Sequence, residues 1–154
     1  MFVFDRRGTF VRELRAPEPL PGDHFGASLA ATDSSLLLVG MPSVYGAGAA
    51  HLFAHLVPQP IETFVGGRGP AYDGFGLSVA LGAAGALIGG LHSADLFDVS
   101  TGAKIASLVP PDQPDDGVYF GYFGAAVAIV GNTLVVDAPG HDLSAVFGYR
   151  PLRR

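Results

Sequence analysis

Residues 123–140 read FGAAVAIVGNTLVVDAPG. Small and apolar residues alternate up to Gly131-Asn132, a two-residue turn signal, and Thr133 to Val136 is then β-branched or aliphatic, so the stretch reads as a β-hairpin. Pro139-Gly140 stops its second strand. Two upstream stretches align with it by their Phe-Gly pair: FGASLAATDSSLLLVGMP from Phe25 and FGLSVALGAAGALIGGL from Phe75, at steps of 50 and 48 residues. Self-similarity at such a period predicts a repeat architecture. A further element returns once per unit, MFVFDRRGT around Phe4, AAHLFAH around Phe53, SADLFDVSTG around Phe97 and SAVFGYR around Phe147.

The pattern resembles the FG-GAP repeat of integrin α propellers and of many bacterial surface proteins. Phe25-Gly26, Phe75-Gly76 and Phe123-Gly124 supply the Phe-Gly half, while the segments ending at Pro42, Leu91 and Pro139 stand where Gly-Ala-Pro would be. The resemblance implies an all-β fold, a partial β-propeller of about three four-stranded antiparallel blades in an incomplete ring. It also implies a surface, secreted or periplasmic location and a piece of a longer chain, since MFVFDRRGTF is not a signal peptide.

Composition agrees with many short strands. Only 15% of the 154 residues are charged, and 22 Gly with 12 Pro punctuate short apolar runs. The net charge of −5 hides an uneven distribution. Arg6, Arg7, Arg12 and Arg15 lie at one end and Arg150, Arg153 and Arg154 at the other, with only Arg68 and Lys104 between them among twelve carboxylates. An acidic body argues against a nucleic-acid surface. Cysteine is absent, which excludes disulfides and thiolate metal sites, and no apolar run is long enough to span a membrane.

Thirteen strands are predicted, grouped two, four, four and three. The half blade is 1–21, with Pro17, Pro19 and Pro21 ending its pairing; repeats follow at 22–71 and 72–118, and a third at 119–154 lacks its last strand. First strands are expected to begin at Gly26, Gly76 and Gly124 and to be small because they lie nearest the axis. Each Phe of the pair is expected to fill the gap between neighbouring blades.

The sequence offers no catalytic constellation. The calcium sites of integrin propellers need a run of Asp and Asn ligands in the first hairpin turn, and Asp33-Ser34, Gly82 to Gly85 and Gly131-Asn132 provide one carboxylate between them. No metal and no cofactor is therefore expected, and Asp112, Asp115 and Asp116 read as a solvated crossover. Ser28 and Ser78 follow a glycine by two residues, but the G-x-S-x-G pattern breaks at Ala30 and Ala80, and the third copy has Ala126, so they read as small packing residues. The five histidines lack ligand spacing and read as surface or turn residues.

Binding is what remains. The crossover loops and the loops between second and third strands should emerge on one face, carrying His24, Tyr45, Arg68, Tyr72, Asp73, Asp115, Asp116, Tyr119, Tyr122, His141 and Asp142. The expected function is a non-enzymatic adhesion-type module for a protein or glycan ligand. Two other readings are an accessory propeller of a larger hydrolase, as in phospholipases with these repeats, and a propeller closed by homo-oligomerisation.

Overall fold

A computed structural model describes residues 1–33, 35–43, 46–55, 57–66, 73–110, 122–139 and 145–149. They form antiparallel sheets and no helix, and none of the sheets closes on itself. Strands β1 (Phe2–Phe4) and β2 (Phe10–Glu13) pair as a hairpin. Strands β3 (Ser28–Ala31), β4 (Leu36–Met41), β5 (Ala49–Ala54) and β6 (Glu62–Val65) make a four-stranded meander, as do β7 (Ser78–Gly82), β8 (Gly85–Gly89), β9 (Ala94–Phe97) and β10 (Lys104–Leu108). The last sheet is β11 (Val127–Val130), β12 (Thr133–Ala138) and β13 (Ala145–Tyr149), with β12 in the middle. No helix among the described residues is long and apolar enough to cross a membrane.

The first strands start two or three residues later than the sequence suggests, because each Phe-Gly pair is a turn. The carbonyl of His24 accepts from the N–H of Ala27, that of Gly74 from Leu77 and that of Tyr122 from Ala125. Gly26, Gly76 and Gly124 take φ of 94°, 91° and 101° in the third place, which a type II turn reserves for glycine. Each of these glycines then donates its N–H to the end of the second strand, at Gly40, Gly89 and Asp137 respectively.

Successive sheets stack through apolar seams. Phe75 lies between the second and third sheets with Leu38, Leu52, Phe64, Ile88 and Phe97. Phe123 lies between the third and fourth with Leu87, Leu96, Leu134 and Val136. The half-buried Phe25 packs between the hairpin and the second sheet, against Leu14, Val39 and Phe53. Burying one such ring contributes about 1.5–3 kcal/mol. Ring pairs recur too: Phe25–Phe53 at 6.2 Å and Phe75–Phe97 at 6.1 Å, both edge-to-face.

Hydrogen bonds interlock the seams. The Ser28 hydroxyl donates to the Gly76 carbonyl at 2.9 Å, and Ser78 to the Gly124 carbonyl at 2.7 Å. The facing residues, Gly40 and Gly89, are glycine of necessity, since a Cβ there would fall 2.1 and 2.2 Å from those same carbonyl oxygens.

One register differs from the sequence alignment. Phe53 and Phe97 pair with Leu37 and Ala86, but the corresponding residue of the last sheet, Leu134, pairs with Tyr149, so Tyr149 and not Phe147 takes that place. A shift of two residues keeps every side chain on its face, so alternation alone does not detect it.

Candidate binding cleft

The residue ahead of each Phe-Gly turn is left-handed: His24 at φ 51°, Gly74 at 66° and Tyr122 at 68°. Glycine adopts this conformation freely, whereas His and Tyr hold it at a cost of about 1 kcal/mol or more. Both of these side chains are exposed, Tyr122 by 55%. Carboxylates brace the approach. The Asp73 carboxylate accepts from the N–H of Phe75 at 3.0 Å, and the buried Asp23 carboxylate accepts from Leu20 at 2.6 Å.

Beside the first turn, the crossover 18–23 and the β4–β5 loop enclose a cleft of about 530 Å³, within the usual size of small-ligand sites. Glu18, Leu20, Pro21, Asp23, Met41, Ser43, Gly46 and Ala47 line it. Two of its lining residues, Glu18 and Asp23, are acidic, and Leu20, Pro21, Met41 and Ala47 are apolar. The sequence reading did not single out these residues; the signal available was their membership of two loops that a meander brings to the same end of one sheet.

Of the residues singled out from sequence, His24, Asp73 and Tyr122 stand at the heads of successive Phe-Gly turns, one per sheet. No hydrogen bond or ring contact joins them to one another. Tyr45, Arg68, Tyr72, Asp115, Asp116, Tyr119, His141 and Asp142 lie outside the described residues, as does the acidic crossover that includes Asp112. Ser28 and Ser78 have their hydroxyls committed to the seams.

One histidine departs from expectation. His51 is 3% exposed, 5.8 Å from the Phe25 ring, with Nδ1 3.0 Å from the Thr63 hydroxyl and Nε2 buried without a hydrogen-bond partner. It belongs to the first seam, and burial holds its imidazole below the ordinary histidine range. Among the described residues no three His, Asp or Glu side chains come close enough to hold a metal ion. No protein-family model matches the chain, and no curated protein sequence matches it.

Proposed function

We propose that the four sheets are successive blades of an FG-GAP-type propeller, with the half blade at 1–21 and blades at 22–71, 72–118 and 119–154, and that the chain is a non-enzymatic binding module of a surface or secreted protein. Three Phe-Gly turns with the same φ pattern, each placing its ring between two sheets, support the blade reading. The loop-end cleft beside His24 carries the binding reading. Strain held at an exposed side chain on a rigid scaffold is a common mark of a ligand-contacting position.

Screening the purified chain against glycan and protein arrays, followed by label-free titration of the hits, tests this. Ala47→Arg fills the cleft and should abolish binding, while Val57→Arg, on the β5–β6 loop, should leave it intact. An absence of hits, or equal binding by both variants, overturns the binding reading and leaves the blade geometry untouched.

A further inference from the structure

Among the described residues His51 is the only buried histidine, and it lies between two sheets. It pairs across strands with Val39 and stands two residues from Phe53, so all three share the side of the second sheet that faces the β1–β2 hairpin. Its Nδ1 meets the Thr63 hydroxyl, its ring lies against Phe25, and its Nε2 is buried without a hydrogen-bond partner.

Nothing around the ring is placed to balance an imidazolium. On the hairpin's seam side Met1, Val3 and Leu14 are apolar, and Arg12, opposite Val3 by register, is a cation. The N-terminal ammonium, a second cation, donates to the Leu14 carbonyl at 2.8 Å. From the Phe-Gly turn, the Asp23 carboxylate accepts from the N–H of Leu20, and His24 is exposed. On β6 Thr63 is neutral, while Glu62 lies on the other side of the sheet, with its carboxylate against Gly102. In the second seam the place of His51 is held by Asp95, and there the charge is matched by Lys104 at 2.7 Å.

The sheet that this seam holds is also the least secured. A two-stranded hairpin is marginal by itself, and this one is covered on one side only, since Phe2, Phe4 and Phe10 on the other are 64%, 58% and 56% exposed. Its docking depends on Met1, Val3 and Leu14 against Phe25, Val39 and Phe53.

We propose that protonation of His51 releases the hairpin from the second sheet while the other sheets stay folded, an acid-triggered switch that bares Val39 and Phe53. Burial disfavours the cation and holds the docked imidazole below its ordinary value of 6.5. Docking is therefore whole above pH 6.5. Below it the open fraction rises by at most about tenfold per pH unit, until the docked value is passed. Neither the blade reading nor the binding cleft is needed for this.

Hydrogen exchange of the full chain at pH 7 and pH 5, read by mass spectrometry, tests it. Amides of residues 2–14 are compared with those of β7 and β8 in the same sample, so the pH dependence of the exchange chemistry cancels. In the wild type, hairpin protection should fall about tenfold relative to the third sheet between the two pH values. His51→Leu should show no such fall, and Thr63→Asp, which sets a carboxylate beside Nδ1, should keep the hairpin docked at pH 5. The change with pH is the readout, so a variant that merely loosens the hairpin at both values still reports. Equal loss of protection in hairpin and third sheet, no loss in the wild type, or a loss as large as the wild type's in either variant overturns the proposal.

Discussion

The hairpin of residues 2–13 and the hairpin of residues 94–108 have one backbone and two fates. Both place a Phe before an Asp, Phe4-Asp5 and Phe97-Asp98, and in both that Asp closes the turn. Asp5 accepts from the N–H of Arg7 and Thr9, and Asp98 from those of Ser100 and Thr101. Both carry the bulge, and both end on a buried leucine, Leu14 and Leu108. Their faces diverge. The cross-strand position held by Phe2 and Glu13 is held in the third sheet by Asp95 and Ser107, and in the second by His51 and Thr63. Lys104, in the place of Phe10, reaches Asp95 at 2.7 Å, and Ser107 donates to the same carboxylate at 2.6 Å. Turn chemistry and the bulge set the strand path, so the residues on the face are free to answer to whatever lies opposite.

The largest contrast should come from the paired phenylalanines. Phe97→Ala should cost about 3–5 kcal/mol, whereas Phe4→Ala should cost about 0.5 kcal/mol or less. Urea unfolding measures both, and equal losses would mean the two hairpins do not differ in cover. Next comes the ion pair. Lys104→Ala leaves the Asp95 carboxylate, 4% exposed, with Ser107 alone, and should cost about 2 kcal/mol; the lysine is partly exposed, which lowers the figure from that of a fully buried pair. Asp95→Leu with Lys104→Leu should recover most of this, since an apolar pair there imitates Phe2 and Phe10. If the double variant is less stable than Lys104→Ala, the polar network has a role beyond filling the face.

A smaller effect belongs to pH. His51 has a folded pKa below its ordinary value near 6.5 because burial disfavours the cation. The unfolded chain therefore binds more protons between the two values. Stability should be whole above pH 6.5 and decline as pH falls from there through the folded pKa. Melting curves at pH 8 and pH 5 should diverge in the wild type and converge in His51→Leu, and identical pH dependence in the two proteins sinks this account. Smallest is the turn itself. Hydrogen bonds, from the Thr9 backbone to Asp5 and from the Ser100 hydroxyl to Asp98, hold both carboxyls below 3.8. Their stabilisation is present above 3.8 and lost as pH falls through the lower folded values. Carboxylate titration by NMR should find both depressed, and an ordinary value at either would break the likeness of the turns.

Much of this was readable beforehand. Gly131-Asn132 marked a hairpin turn and the Phe-Gly doublets the approach to each first strand, although the strands begin two or three residues later, and the grouping of strands into two, four, four and three matches the sheets described. What escaped were features that need a second sheet. Phe147 looks like the partner of Phe53 and Phe97, but a two-residue slip to Tyr149 leaves the pattern of alternation unchanged. His51 sits four residues from the exposed His55 on a strand with nothing to mark it as buried. The cleft residues come from loops separated by some twenty positions, and only the return of β4 beside the crossover brings them together.

By itself the chain determined its local geometry: glycines where φ must be positive, an Asp where a turn needs an acceptor, and apolar residues at every second place. These choices depend on sterics and hydrogen bonds among neighbours a few residues apart. Which face is covered, why Gly40 and Gly89 tolerate no side chain while Asp137 does, and what the hydroxyls of Ser28 and Ser78 bind were decided only by the tertiary structure. Burial and close approach are set by atoms some fifty residues away, and no local pattern carries that distance.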